Sequence, residues 1–296
     1  MLDPDLQRSY LECKRLNAKH GKTYYLATQI LPKHKRPYVH ALYGFARYAD
    51  EIVDDLASTL TPAEKEIELR TWSNKLLDDL KNGISYDHIG RALVDTVHRW
   101  KIPLHYFDAF LKSMAMDLTI TQYQKYDDLM EYVYGSAAVI GLEMVHILGV
   151  KEGADFERAL TGAKNLGIAF QLANFIRDIG EDLDRGRIYL PIEELEEFGI
   201  NRQALERREV TKPFIQALKF QISRVRELKR ESDDAIQYLA HDAIPCIQAA
   251  SDLYCGIVDE VEAINYDVFN KRAKTSMARR GKVAFSAWRQ MQEISR

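Results

Sequence analysis

Two aspartates one helical turn apart, Asp50 and Asp54, are the first residues in this 296-residue chain whose type and spacing could do chemistry. In the helix predicted for residues 42–55, they share about 60° of the helix surface with Tyr43 and Arg47. Carboxylates at this spacing repel each other unless water or a cation lies between them. The pattern alone is equally typical of an acidic, solvated helix end, although Arg47 could also pair with an oxygen-rich ligand.

A second polar stripe is predicted on the helix formed by residues 167–184. The helical period brings four side chains to about 80° of one face: Gln171, Asn174, Asp178 and Asp182. Two amides and two carboxylates make a row of oxygen ligands that contains no lysine. Such a row inside an apolar helix is atypical of a solvated surface, and Mg²⁺ uses carboxylates together with water and substrate phosphates. The stripe therefore favours a divalent-metal site.

The two acidic faces could meet across a helical bundle, as in bundles that build metal sites from inward-facing acids. Facing carboxylates need cations between them, and the loaded cluster attracts a polyanion. Diphosphate fits this requirement because magnesium neutralises it and makes it a competent leaving group. The sequence contains no Walker loop, Rossmann fingerprint, Gly-x-Ser-x-Gly elbow or His-Glu-x-x-His helix that would indicate a different site.

The composition suits a soluble protein with a sizeable core, since 46% of the residues are hydrophobic and 29% are charged. A net charge of −3 gives no general attraction to nucleic acid, so we expect no nucleic-acid partner. The three cysteines are too few and too scattered for a disulfide framework. With neither a signal peptide nor an apolar run of roughly 20 residues, the sequence predicts a cytoplasmic protein whose membrane contact, if any, is peripheral.

Helical periodicity dominates the chain, and strand-like alternation is nearly absent. Glycines and prolines separate the periodic stretches, which predicts about ten helices in a single all-α domain over residues 1–296. Thr61, Pro62 and Glu64 form the pattern of a helix start with a capping box.

Three further segments have their own predictions. Residues 135–150 are weakly polar and predict a buried helix. Residues 184–191 predict a loop that leaves a helix, because a glycine flanked by arginines precedes a short apolar run and a proline. Residues 271–282 are locally basic, which is typical of a solvated helix end; the alternative is that they cover a phosphate or an anionic membrane surface.

Four stretches of the sequence resemble the squalene/phytoene synthase family, and bacterial phytoene synthases most of all. They are residues 20–28, 41–55, 171–182 and 186–191, within a resemblance that extends from about residue 10 to residue 284. A single Asp-x-x-x-Asp motif would be a weak signal, but two in this order with these flanks are specific.

The resemblance implies an isoprenoid-synthase-type helical bundle around a central cavity. It also implies head-to-head condensation of two prenyl diphosphates, with geranylgeranyl diphosphate as the expected substrate and phytoene as the product. The route runs through a cyclopropylcarbinyl diphosphate, which ionises, rearranges and loses a proton. Mg²⁺ is the expected cofactor, with Mn²⁺ as an alternative ion, and no NADPH is required.

Carried over position by position, the resemblance assigns roles to the polar residues. The metal ligands are Asp50, Asp54, Asn174, Asp178 and Asp182. The substrate-binding residues are His20, Lys22, Thr23, Tyr43, Arg47, Gln171 and Arg177. Tyr254 matches a tyrosine near the reacting carbons and joins the four aspartates as a catalytic residue, although core packing would also explain it. Tyr132 and Tyr134 could face the cation or fill the core.

The sequence departs from the family pattern at Gly21, where several relatives carry serine, and no hydroxyl is available there. Glu51 stands where many head-to-tail prenyltransferases have a second aspartate, which weakens a head-to-tail assignment. The small residues of segment 135–141 predict part of a hydrocarbon tunnel wall.

Two alternatives stay open. One is a synthase that acts on the C15 diphosphate to give presqualene, squalene or dehydrosqualene products. The other is a non-catalytic helical scaffold, although all four main aspartates are intact. The apolarity of the product and the basic segment near the C-terminus also suggest peripheral membrane association.

Overall fold

The computed structural model describes residues 3–54 and 58–294, and within these ranges the chain is helical with no β-strand. Its elements are α1 (Pro4–His20), α2 (Lys22–Thr28), α3 (Arg36–Asp54), α4 (Pro62–Asn82), α5 (His88–Trp100), α6 (Leu104–Met116), α7 (Tyr126–Val133), a π-helical turn (Tyr134–Ala138), α8 (Val139–Leu148), α9 (Phe156–Asp184), α10 (Ile192–Glu197), α11 (Arg202–Glu206), α12 (Lys212–Ile236), α13 (Ile244–Tyr254), α14 (Ile257–Ala263) and α15 (Met277–Ile294).

The all-α prediction is confirmed, but the predicted number of about ten helices is too low for the described residues. The extra helices are short, such as α10 with six residues and α11 with five. A helix of one or two turns contains too few apolar positions to show a period. Asp55 lies outside the described residues, and the single domain over residues 1–296 stays a prediction.

The long helices form where the sequence caps them and gives them one apolar face. At the start of α4, Thr61 Oγ1 accepts a hydrogen bond from Glu64 N at 3.3 Å, and Thr61 N donates to Glu64 Oε2 at 2.8 Å. This confirms the predicted capping box. The 29-residue α9 begins in the same manner, because the Asp155 carboxylate accepts hydrogen bonds from the first backbone amides of the helix.

The interior contains two large apolar clusters, and the candidate site lies where they adjoin. One cluster is built mainly on α9 and α12, and the other on α1, α3, α4, α5 and α6. Tyr134 in the π-helical turn packs against both clusters. Because α3 belongs to one cluster and α9 to the other, the polar stripes of these two helices lie along the boundary.

Glycines let the helices around this boundary approach closely. A Cβ atom on Gly141 of α8 would lie 2.2 Å from the carbonyl oxygen of Ala163 on α9. A Cβ atom on Gly162 would lie 2.1 Å from the Cβ atom of Ala235 on α12. Neither helix crossing has room for a larger residue, so the spacing of α8, α9 and α12 depends on these positions.

Candidate active site

The two polar stripes, which were predicted to meet across a bundle, line one chamber of about 350 Å³, called here the acidic chamber. From α3 it is lined by Tyr43, Arg47, Asp50 and Asp54, and from α9 by Gln171, Asn174, Arg177, Asp178 and Asp182. The apolar faces of both helices are buried in the two core clusters. Each helix is therefore fixed by its packing with its oxygen-rich face toward the chamber.

On α3, Arg47 is held by the acids of its own helix. Its Nη1 atom donates to Asp50 Oδ2 at 2.7 Å, and its Nε atom donates to Glu51 Oε1 at 3.1 Å. Burial raises the pKa of Asp50, and the neighbouring Asp54 raises it further, against the opposing effect of Arg47. A positive charge in the chamber would relieve this crowding of carboxylates.

Asp54 receives two arginines from the loop that follows α9. Arg185 Nη1 and Arg187 Nη1 each lie 3.2 Å from a carboxylate oxygen of Asp54. The loop folds back because Gly186 adopts a φ of 73° and because Arg187 N donates to Asp182 O at 2.8 Å. The predicted loop over residues 184–191 is thus part of the chamber wall.

On α9, Asp178 is paired with two guanidinium groups. Arg177 donates to both carboxylate oxygens, with Nε at 2.7 Å from Oδ1. Arg272, far along the chain, places Nη2 3.3 Å from the same carboxylate. Asp182 lies one turn later, where burial and then the charge of Asp178 raise its pKa to about 7. A positive charge beside this carboxyl would lower its pKa again.

Asn174 provides the test of whether these residues fit a metal. Its Oδ1 atom is buried without a hydrogen-bond partner although it lines the chamber, so an oxygen ligand stands free beside Asp178. Among the described residues, no group of three or more His, Cys, Asp or Glu side chains is close enough to hold an ion alone. The oxygen donors that line the chamber are of the kind that a hard divalent cation takes, because such an ion completes its shell with water and phosphate oxygens.

The predicted substrate-binding residues near the N-terminus are only partly brought together. Thr23 and Tyr254 line a neighbouring cavity together with Arg177, and the ring of Tyr254 stacks on Tyr24 at 4.9 Å between centroids. His20 Nε2 lies 3.9 Å from Glu51. In the part of the chain that the structure describes, neither His20 nor Lys22 lines this cavity or the acidic chamber.

An apolar cavity of about 320 Å³ adjoins the acidic chamber. Both are lined by Tyr43, Ala46, Phe110, Ser136, Gln171 and Asn174. Further along, the cavity wall includes Ala137, Ile140 and Gly141 from the small-residue segment that was predicted to form a tunnel wall. A molecule with an anionic head and a hydrocarbon tail could place one part in each space.

Several residues of the chamber were not predicted from the sequence. Asp117 and Tyr189 line it. The sequence left two interpretations open for Tyr132 and Tyr134, and of these two Tyr132 lines the chamber, whereas Tyr134 is absent from the described lining. Asp117 follows α6 with no second acid at helical spacing, so no pattern marked it. Arg187 belongs to the family-like stretch 186–191, but the direction of its side chain depends on how the loop folds.

The basic segment 271–282 is only partly a solvated helix end. Arg272 reaches Asp178, and Arg279 donates to Asp259 at 2.9 Å. Lys274 and Arg280 line the same neighbouring cavity as Thr23 and Tyr254. The alternative prediction, that these residues cover a phosphate or an anionic membrane surface, stays a prediction.

Comparison with known proteins gives consistent matches. A family model described as squalene/phytoene synthase matches residues 17–279. The 15-cis-phytoene synthase of Synechococcus elongatus is 35% identical over 276 residues, which cover 90% of this chain and 88% of that protein. Phytoene synthase 1, chloroplastic, of Arabidopsis thaliana is 36% identical over 271 residues; these cover 90% of this chain but only 63% of the Arabidopsis protein.

Solved structures show the same fold. A dehydrosqualene synthase in complex with ligand superposes with a TM-score of 0.86 at 26% identity, covering 97% of this chain and 98% of the other. A squalene synthase from Alicyclobacillus acidocaldarius superposes with a TM-score of 0.80 at 23% identity, covering 90% of this chain and 97% of the other.

Proposed function

Because this chain belongs to the squalene/phytoene synthase family, we propose that it joins two molecules of geranylgeranyl diphosphate head to head to form phytoene. The reaction passes through a cyclopropylcarbinyl diphosphate and releases both diphosphates. The observation that carries the proposal is the junction of the acidic chamber with the apolar cavity. A diphosphate bound in the chamber leaves its prenyl chain in the cavity and its reacting carbon at the shared rim.

The metal proposal is Mg²⁺, with Mn²⁺ as the alternative ion, held by Asp50, Asp54, Asn174, Asp178 and Asp182. Once bound, the metal neutralises the diphosphate and assists its departure. The orphaned oxygen of Asn174 and the raised pKa of Asp182 support this donor set.

The arginines of the chamber are proposed to exchange partners when substrate binds. Arg47, Arg177 and Arg187 now donate to carboxylates that a metal would occupy. A cation at those carboxylates would free the guanidinium groups, whose planar donors match phosphate oxygens. Each arginine thus neutralises an aspartate before binding and a diphosphate afterwards.

The remaining predicted residues are proposed to complete the substrate site. Tyr43 and Gln171 stand at the rim of the two spaces, where the reacting carbon would lie. Thr23 and Tyr254 approach Arg177 from the other side, and His20 and Lys22 precede them in the chain. The lining of the apolar cavity keeps water away from the allylic cation.

A second candidate is the corresponding reaction on the C15 diphosphate. The superposition with a dehydrosqualene synthase at a TM-score of 0.86 favours it as the alternative. A non-catalytic scaffold is the less favoured candidate, since the four aspartates line a chamber beside a free amide oxygen. Neither phytoene nor dehydrosqualene formation consumes NADPH, and we expect no requirement for it.

We propose that the enzyme is cytoplasmic and binds peripherally to a membrane, which receives the apolar product. Within residues 3–54 and 58–294, none of the helices combines the length and apolar character that crossing a bilayer requires. Lys282 and other basic residues of α15 could contact anionic lipid. Flotation with anionic and neutral liposomes tests this: a protein that stays at the bottom of both gradients contradicts the membrane proposal.

The central experiment supplies purified protein with the C15 and C20 diphosphates separately, with Mg²⁺ and without NADPH. We expect the C20 substrate to yield a C40 hydrocarbon whose mass is that of phytoene, together with diphosphate release. Omission of the metal should abolish both. Consumption of the C15 substrate alone would replace the proposal by its C15 alternative, and consumption of neither substrate would favour the scaffold.

A further inference from the structure

Asp117 is a carboxylate of the acidic chamber that none of the predicted motifs includes. It directly follows α6 and lines the chamber together with Tyr132, Phe175 and Tyr189. Tyr132 and Tyr189 are nearly buried, with 3% and 8% of their surfaces exposed. The group therefore stands within reach of bound substrate but away from bulk water.

Two phenols hold the Asp117 carboxylate. Tyr132 Oη donates to Oδ2 at 2.7 Å, and Tyr189 Oη donates to Oδ1 at 3.0 Å. The nearby Arg187 donates to the backbone oxygen of Asp117 at 3.0 Å and leaves the carboxylate to the phenols. A carboxylate that accepts hydrogen bonds only from neutral hydroxyl groups keeps more of its basicity than one that is paired directly with a guanidinium group.

The hydroxyl of Tyr132 is oriented to receive a proton. Because its hydrogen points at Asp117, its oxygen offers lone pairs in the remaining directions. Tyr189 is less available, since its hydroxyl already lies 3.4 Å from the donating Nη1 atom of Arg187. Tyr132 is thus the better relay of the two.

Aromatic rings surround this pair. Phe175 stacks on Tyr189 with 4.2 Å between ring centroids, and Tyr132 lies 5.6 Å from Tyr189. Ring faces stabilise a nearby cation. Burial raises the pKa of Asp117 to about 6, which makes it a stronger base than an ordinary aspartate. The same corner of the chamber therefore stabilises a cation and accepts a proton.

We propose that Asp117, acting through Tyr132, accepts the proton whose loss from the final carbocation completes the hydrocarbon. The proposal rests on the proposed function. A C–H bond next to the cationic carbon breaks, and its electron pair becomes the new central double bond. The proton moves to Tyr132 Oη while the phenolic proton moves to Asp117, so no oxidant or reductant is consumed. Tyr132 meets the substrate, and Asp117 is a positioning residue behind it.

The competing acceptor is the diphosphate that has already left, since it is also basic and close by. The two acceptors differ in what happens when Asp117 cannot take a proton. If diphosphate is the base, the fate of the cation does not depend on this side chain. If Asp117 is the base, the cation survives longer and is captured by water or closes to other products.

The test compares Asp117→Asn and Tyr132→Phe with the wild-type protein and with Tyr123→Phe. Tyr123 is a suitable control because it is buried in the same aromatic group and its hydroxyl has no hydrogen-bond partner in the described structure. Substrate consumption, diphosphate release and all C40 products are measured with geranylgeranyl diphosphate and Mg²⁺. Circular dichroism confirms that each variant is folded.

For Asp117→Asn and Tyr132→Phe, the products are compared per diphosphate released, so that a change in the overall rate of a variant does not enter the comparison. The ratio of phytoene to alcohols and cyclised or cyclopropyl products should fall by about tenfold or more, while Tyr123→Phe keeps the wild-type ratio. An unchanged ratio in both variants overturns the proposal, and so does an equal fall in consumption and phytoene. If Asp117→Asn does not fold, Tyr132→Phe decides alone. Failure of the wild-type protein to consume the substrate would instead contradict the proposed function.

Discussion

At the scale of single residues, Asp178 is the point where arginines from two distant parts of the chain meet. Arg177 is its neighbour in α9, whereas Arg272 comes from the segment before α15. Both guanidinium groups are fixed beside the same carboxylate, and under the proposed function they would be ready to bind a diphosphate there. The carboxylate is both a proposed metal ligand and the temporary partner of the two arginines.

Asp178→Asn tests this double role. The amide is nearly the same size but carries no charge, so we expect turnover to fall by at least about 100-fold while the protein stays folded. Steady-state assays with varied Mg²⁺ and thermal melting measure the two effects. Asp184→Asn is the matched control, because Asp184 lies on the same helix but pairs with Arg208 at an exposed position. Wild-type turnover in Asp178→Asn would contradict the metal assignment.

Asp182 predicts a pH dependence. Its pKa is raised from 3.8 to about 7, chiefly by burial and next by Asp178, so the folded protein keeps the proton that the unfolded chain has lost. Its contribution to the free energy of unfolding is therefore present below pH 4 and disappears as the pH rises through 7.

Added Mg²⁺ should compete with this proton and raise the melting temperature more at pH 8 than at pH 6. Melting curves across this range measure the effect, and Asp182→Asn should flatten it. A metal response that is the same at both pH values in the wild-type protein would exclude Asp182 as a ligand.

Helical spacing could predict the stripes on α3 and α9 because both lie on long helices whose apolar faces are unambiguous. It could not predict Arg187 or Asp117. Arg187 enters the chamber through a loop whose path depends on one glycine with positive φ and on a backbone hydrogen bond to α9. Asp117 follows a helix as a single acid, and only tertiary packing brings Tyr132 and Tyr189 to it.

At the scale of secondary-structure elements, the position of α9 decides the geometry of the site, because this helix carries one stripe and also forms a wall of the cavity. Its distance from α8 is set at Gly141, and its distance from α12 is set at Gly162. The sequence shows that the residues around Gly141 are small. The reason for the small residues is visible only in the contact with the backbone of Ala163.

Gly141→Ala should therefore harm both fold and function. The new methyl group would lie 2.2 Å from the Ala163 carbonyl oxygen, which is a backbone atom and cannot rotate away. Moving α8 from α9 should cost about 1–3 kcal/mol of unfolding free energy and lower turnover. Denaturant unfolding and product assays measure these effects.

Gly281→Ala is the control for helix propensity. Gly281 lies within α15 with open space around it, so alanine there should stabilise the protein by roughly 0.5–1 kcal/mol. Equal stability changes at the two positions would show that the crossing at Gly141 is not tight.

At the scale of the whole molecule, the bundle encloses the apolar cavity with helices from both halves of the chain. Its lining includes residues of α2, α3, α8, α9, α12 and α13. Leu31, Leu148, Leu239 and Cys246 belong to a small apolar cluster that borders it, away from the acidic chamber. This arrangement predicts that residues remote from the chemistry limit the length of the prenyl chain.

Cys246→Phe tests this prediction. Cys246 is 3% exposed and donates its thiol hydrogen to Ala27 O at 3.2 Å, so its side chain is fixed between α13 and α2. A phenyl ring there should occupy space that the end of a C20 chain needs, and the ratio of kcat/KM for the C20 over the C15 diphosphate should fall by about tenfold or more. Cys246→Ser keeps both the size and the hydrogen bond and should leave the ratio unchanged. The acidic chamber is unaltered in Cys246→Phe, so Mg²⁺-dependent diphosphate release from the C15 substrate should not fall. An equal loss of activity with both substrates would mean that the cavity does not hold the prenyl chain.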